Sequence, residues 1–182
     1  MNQTRVAVRY AKALLDQALE KSLIEVVFAD MTSLLSICHS NKDFSLFLQS
    51  PIIKTEKKVS VLKEIFSSKI NALSLDFLLL IVTKKRENAM ENIAEEFINQ
   101  YKKYKKIITA VVTSSVGLDA NLRKEVIEIV KKGSASEVEL IEKVNPDLIG
   151  GFILRIGDKQ VDTSILRQLK KLNRTFKENS LQ

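Results

Sequence analysis

Apolar positions recur at helical spacing through the first hundred or so residues and then switch to strand alternation. From Thr4 to Glu20 the charged residues Arg5, Arg9, Lys12, Asp16 and Glu20 form one stripe, and most of the rest is apolar. One apolar row runs Val6, Tyr10, Ala13 and Leu14, and a second runs Ala7, Ala11, Leu15, Ala18 and Leu19. Such an arc is wider than a single core contact requires. Two explanations stand side by side: a helix buried on two sides of its own bundle, or an alanine-rich face that a partner helix can approach. Ser22 is expected to cap a second helix, with Ile24, Val27, Phe28, Met31, Leu34, Leu35 and Cys38 inward. A short third helix carries Phe44, Phe47 and Leu48 and must stop ahead of Pro51. Thr55 opens a fourth, with Val59, Leu62, Ile65 and Phe66 inward and Lys54, Lys57, Lys58 and Lys63 in water. A fifth helix from near Ser74 contains Phe77 to Val82, apolar on every side. A sixth places Met90, Ile93, Ala94, Phe97, Tyr101 and Tyr104 on one face and ends in Lys102, Lys103, Lys105 and Lys106, which complement the helix dipole.

At Ile107 the pattern changes. Ile107 to Thr113 is short and β-branched, as a buried strand should be. Asp119 caps a helix with Leu122, Val126, Ile129 and Val130 inward, ending at Gly133. Val138, Leu140, Glu142 and Val144 alternate through a second strand. After a turn at Asn145-Pro146-Asp147, a strand is expected from Leu148 to Ile156, in which Gly150 and Gly151 allow close backbone approach. A tight turn at Gly157-Asp158, a return strand through Val161 and a helix capped by Asp162 or Thr163 complete the chain. That helix sets Ile165, Leu166, Leu169, Leu172 and Phe176 against a basic stripe of Arg167, Lys170, Lys171, Arg174 and Lys177. The stripe is either a solvated face or a contact for an acidic partner helix. The fold class is therefore α+β: a six-helix bundle over 1–105, then a small α/β domain over 106–182 with a short sheet and two helices.

Composition narrows this picture without redirecting it. The 182 residues are 45% hydrophobic and 28% charged, with only five Gly and two Pro, which suits long helices joined by short connections. The net charge of +7 is spread along the chain: 17 basic and 12 acidic residues through Lys106, and 12 and 10 beyond it. Nucleic acid, an anionic membrane surface or acidic helices would all suit that balance. No stretch approaches a membrane span, and the N-terminus lacks a signal-peptide core, so the mature chain is expected to begin at Met1 in a reducing compartment. A single cysteine excludes an intrachain disulfide.

Catalytic chemistry finds no foothold. No phosphate-binding Gly-Lys loop exists, and Cys38 lies on the buried seam of its helix, where the adjacent His39 cannot share its face. The lone histidine offers no visible metal set or nucleophile–base pair, and the strands offer only Phe152 to an RNA base. No cofactor or metal is expected.

The segment Val138 to Gly157, VELIEKVNPDLIGGFILRIG, followed by Asp158 and Val161-Asp162, is similar to the signature of the delta subunit of F-type ATP synthase, the bacterial counterpart of the oligomycin-sensitivity-conferring protein. Arg9-Tyr10-Ala11-Lys12-Ala13-Leu14 resembles the same family's opening Tyr-Ala-x-Ala segment. The matching signature residues are Gly150, Gly151, Arg155, Gly157 and Asp158. After the fifth helix the family usually has Gly-Arg-Leu and a following Pro, whereas here Lys85-Arg86-Glu87 and Glu91 occur, which leaves the turn geometry open.

The resemblance implies a non-catalytic connector in the peripheral stalk, present in one copy per complex. Its bundle would receive the N-terminal helices of the alpha subunits in a groove between the first and fifth helices, through Tyr10, Ala13, Leu14 and Ile81. Its second domain would hold the b subunits through Arg167, Lys170, Lys171 and Arg174. The stator then resists rotor torque, so that proton translocation is coupled to ATP synthesis. A connector of this kind sits on the cytoplasmic side of a bacterial inner membrane, without insertion into the bilayer and without nucleic acid. The alternative is a basic RNA-binding helical adaptor, consistent with a pI near 9.4.

Overall fold

The computed structural model describes residues 3–133 and 137–171, apart from the side chains of Gln3, Ala120, Asn121, Glu125, Ile129 and 131–133. The chain divides into two compact units, Met1–Tyr104 and Lys105–Gln182. In the first, α1 (Gln3–Glu20), α2 (Ile24–Ser40), α3 (Lys42–Gln49), α4 (Thr55–Phe66), α5 (Ala72–Thr83) and α6 (Met90–Tyr104) form a bundle, with a 3-10 turn at Glu87–Ala89 leading into α6. α6 packs along both α1 and α2, and α4 packs along α5. Five of the six residues predicted on the inward face of α6, Met90, Ile93, Ala94, Phe97 and Tyr101, are buried, whereas Tyr104 at the end of the helix is exposed. Each large apolar side chain removed from water in this way contributes roughly 1.5–3 kcal/mol.

The ends of these helices depart from expectation. Ser22 does not cap α2, whose N-cap residue, Leu23, makes no side-chain capping bond. Ser22 instead adopts a left-handed conformation (φ 56°) and closes α1. Its N–H reaches the carbonyl of Leu19, and the Leu23 N–H reaches that of Ala18, a paired arrangement that satisfies the last carbonyls of a helix. α5 ends identically, with Lys85 at φ 55° and N–H bonds from Lys85 to Val82 and from Arg86 to Ile81. Lys85 thus takes the left-handed position where glycine is the unstrained choice, which settles the turn geometry. α5 begins earlier than its apolar run suggests, at Ala72, because the Asn71 carboxamide accepts from the Leu73 N–H.

The second unit is a four-stranded sheet with α7 (Ala120–Gly133) and α8 (165–171). The strands are β1 (Ile108–Ser114), β2 (Val138–Val144), β3 (Phe152–Ile156) and β4 (Lys159–Asp162), in the order β2-β1-β3-β4. β1 and β2 run parallel through the α7 crossover, in register Ala110 with Leu140, while β3 returns antiparallel on the other side of β1 and makes a hairpin with β4. Asp119 caps α7 as predicted, accepting from the Leu122 N–H at 2.7 Å. Val126 and Val130 of α7 close over Ala110, Val112 and Leu154. Leu122, expected inward, is exposed. β3 is shorter than the expected Leu148–Ile156 strand, because Gly151 at φ 77° turns the chain out of extended geometry. The close approach expected of the glycine pair is present: a Cβ on Gly151 would lie 2.6 Å from the Thr163 carbonyl oxygen, and one on Gly150 would lie 2.8 Å from Ile165. Ser164, not Asp162 or Thr163, caps α8 with its hydroxyl accepting from the Arg167 N–H, while the Asp162 carboxylate accepts from Ser164 N–H one turn ahead.

Candidate functional site

α1 turns its charged stripe to solvent and buries Val6, Ala7, Ala11, Leu14 and Ala18. The alanines therefore serve the interior, where a small side chain lets α6 come close to the α1 backbone; Gln100 of α6 donates to the Val8 carbonyl at 3.2 Å. Of the four residues expected to dock a partner helix, Leu14 and Ile81 have no exposed surface at all and belong to the bundle core. Tyr10 is half-buried, with the Arg9 guanidinium 6.0 Å from its ring centre, and Ala13 is exposed. On α5 the apolar run is not hidden on every side, since Leu80 is 46% exposed next to the buried Ile81 and Val82. Tyr10, Ala13 and Val8 on α1 and Leu80 on α5 are thus accessible apolar positions on these two helices. A wide apolar arc in sequence cannot distinguish the residue that faces a sister helix from the one that faces a partner.

In the second unit Arg167, Lys170 and Lys171 are exposed on α8, and Arg174 lies outside the described residues, as do Leu172, Phe176 and Lys177. Ile165, Leu166 and Leu169, expected to face inward, are 41%, 38% and 53% exposed, so α8 presents apolar as well as basic surface. Arg155 points outward from β3, its Nε donating to the Gly157 carbonyl at 3.3 Å, and Gly157 at φ 55° supplies the hairpin turn with Asp158. The exposed edge strand β2 adds Ile141 and Val144.

Polar groups inside the bundle are arranged for structure. Lys58, expected in water, is 2% exposed; its Nζ donates to the Leu48 carbonyl at 2.6 Å and pairs with Glu87 at 2.7 Å, tying α3, α4 and the turn before α6 together. Asp30, on the otherwise apolar seam of α2, accepts from the Asn71 N–H at 3.0 Å and from the Ser74 hydroxyl at 2.6 Å, which fixes the start of α5. Lysine and aspartate are residue types ordinarily found in water, so only their i, i+4 relation to core positions such as Leu62 and Leu34 pointed to burial. Cys38 is buried, and desolvation, reinforced by the Glu91 charge, pushes its thiol up to about 11. A thiol held protonated is a poor nucleophile. A cleft of about 550 Å³ lies beside the Lys58–Glu87 pair, and neither hydroxyl in its lining, Ser50 or Thr55, is among the groups hydrogen-bonded to a base there. Among the described residues no helix is long and apolar enough to cross a membrane.

The geometry is that of a scaffold with accessible faces, and the comparisons with known proteins agree. Residues 6–176 match the family model described as ATP synthase delta (OSCP) subunit. The ATP synthase subunit delta of Cytophaga hutchinsonii is 34% identical over 178 residues, covering 98% of this chain and 97% of that one. The chloroplastic ATP synthase subunit delta of Ochrosphaera neapolitana is 37% identical over 174 residues, covering 95% and 97%. A chain of the Toxoplasma gondii mitochondrial ATP synthase hexamer shares the fold, with a TM-score of 0.74 and 24% identity over 93% of this chain and 96% of that one. An N-terminal helical bundle joined to a small mixed sheet, matched along nearly the whole length, means that this chain belongs to the ATP synthase delta (OSCP) subunit family.

Proposed function

We propose that this chain joins the catalytic head of an F-type ATP synthase to its stator by gripping an alpha-subunit N-terminal helix with its bundle and the b subunits with its α/β unit. As a member of the delta family it is a structural, non-catalytic subunit of the peripheral stalk, and the RNA-binding alternative is not supported. A connector must transmit force between two bodies, so it needs two separate sticky faces on a stiff frame. The observation that carries the proposal is accessible apolar surface on both units: the half-buried Tyr10 with exposed Ala13 on α1 and Leu80 on α5 of the bundle, and Ile165, Leu166 and Leu169 beside Arg167, Lys170 and Lys171 on α8. An amphipathic helix laid on the first buries its own apolar face at about 25 cal/mol per Å², less the cost of association. The basic side chains of α8 suit acidic helices of a stalk. One copy per complex, held peripherally on the cytoplasmic side of a bacterial inner membrane, fits both roles.

Calorimetric titration with a peptide of the alpha-subunit N-terminus tests the first contact. Ala13→Glu places a charge on the exposed face and should weaken binding about tenfold or more, equivalent to at least about 1.4 kcal/mol. Leu14→Ala is the control, because its wholly buried position should register as lost stability. Equal affinity of the wild type and Ala13→Glu would remove the α1 face from the proposal.

A further inference from the structure

His39 closes the last turn of α2, and Glu91 and Glu95 lie one turn apart at the start of α6. The packing of these two helices carries the imidazole Nε2 to 3.2 Å from Glu91 Oε1 and 3.9 Å from Glu95 Oε1. One ligand atom from each residue falls within 4.8 Å of the other two. Two carboxylates at i, i+4 repel one another, and here they converge on a single ring nitrogen. We propose that His39, Glu91 and Glu95 form a three-ligand site for a zinc(II) ion, which clips the end of α2 to the start of α6.

The donor set identifies the metal. Ligands 2.0–2.1 Å from a tetrahedral zinc stand about 3.3 Å apart, so the His39–Glu91 spacing already matches, and the exposed Glu95 carboxylate, 3.9 Å from the ring and within 4.8 Å of Glu91, has to move closer to both. One imidazole nitrogen with two carboxylate oxygens suits zinc, whereas magnesium and calcium require all-oxygen shells. His39 and Glu95 are about half exposed, so water can supply the fourth ligand. Cys38, next in sequence, is buried in the core and does not reach the site from that face. The ion neutralises the paired carboxylates and adds a second polar link between two helices that apolar packing and the Tyr101–Glu25 hydrogen bond already join, which gives the bundle a metal-dependent stability.

The test is calorimetric titration of zinc chloride into full-length, chelator-treated protein free of added histidines, with thermal melts alongside. One zinc per chain should bind and raise the melting temperature, and excess magnesium or calcium should not displace it. His39→Gln and Glu91→Gln, both surface substitutions whose folding circular dichroism verifies, should each weaken zinc binding roughly tenfold or more. Absence of saturable binding, or binding equally tight in the two folded variants, would overturn the site and leave a simple His39–Glu91 ion pair.

Discussion

Among the described residues, the N-terminal unit hides side chains as large as Phe66, Phe97 and Met31 completely, while the buried cluster of the C-terminal unit consists of Ala110, Val112, Val126, Val130 and Leu154. The bundle also encloses charged groups, Lys58 and Asp30, each supplied with partners from other elements. The α/β unit has few large side chains inside and leaves Ile141, Val144, Ile149, Val161, Leu166 and Leu169 substantially in water. The difference follows from geometry. Six helices can surround one another on several sides, whereas a sheet covered by α7 on one face buries a single layer. One half thus has a deep core, and the other leaves much of its apolar surface open to water.

That contrast can be broken most forcefully at Lys58. Lys58→Ala leaves the Glu87 carboxylate buried without its cation, and urea denaturation followed by helical circular dichroism should show a loss of about 3–5 kcal/mol. A loss below about 1 kcal/mol, the range of surface pairs, would mean that the pair is solvated and that the bundle core is purely apolar. In the other unit, Gly151→Ala combines a left-handed backbone with a Cβ placed 2.6 Å from the Thr163 carbonyl. A cost of at least about 1–3 kcal/mol is expected, read as faster amide exchange in β3 and β4 with α1 to α6 unaffected. Equal exchange changes in both units would show that the two halves unfold together.

Lys85→Gly acts with the opposite sign. It relieves a side chain held at φ 55° and should stabilise the bundle by up to about 1 kcal/mol, read as a higher denaturation midpoint, because the left-handed cost removed exceeds the added unfolded-state freedom. The smallest effect concerns pH. Hydrogen bonds from the Ser164 hydroxyl and N–H, helped by Arg167 and Lys170, hold the Asp162 carboxyl below its ordinary 3.8. A depressed folded-state value contributes stability that is complete above the ordinary value and is lost as pH falls through it towards the folded one. Asp162→Asn should therefore flatten the acid limb of the C-terminal unit's stability curve slightly, without altering that of the bundle, when both are followed by exchange.

Much of this was legible along the chain because burial imposes period. The spacing of Ile93, Phe97 and Tyr101 and the Asp119 cap each depend on neighbours a few residues away, and they are found in place. The expected alternation of Val138, Leu140, Glu142 and Val144 is not: β2 forms, but it is half-buried from Val138 to Leu140 and exposed from Ile141 to Val144, because it lies at the sheet edge. The strand that stopped short at Gly151 and the cap that moved to Ser164 were misplaced because a glycine's φ and a hydroxyl's direction depend on what packs against them. Among the residues expected to dock a partner helix, the sequence located accessible surface only in part. Tyr10 and Ala13 are accessible, but Leu14 and Ile81 share their periodicity and are core residues, since sequence period locates a face without saying which body covers it.

The sequence alone determined the two-part architecture, the family signature around Gly150 to Asp158 and the absence of a recognisable catalytic motif, because these are properties of local pattern and residue type. Only the tertiary structure decided where the charges go. It took Lys58 out of water to meet Glu87, turned Asp30 onto the start of α5, and brought His39 beside Glu91 and Glu95 from a distant helix. Hydrophobic burial repeats along an element and is visible in one dimension. A charge finds its partner through space, and helix packing alone determines which residues meet.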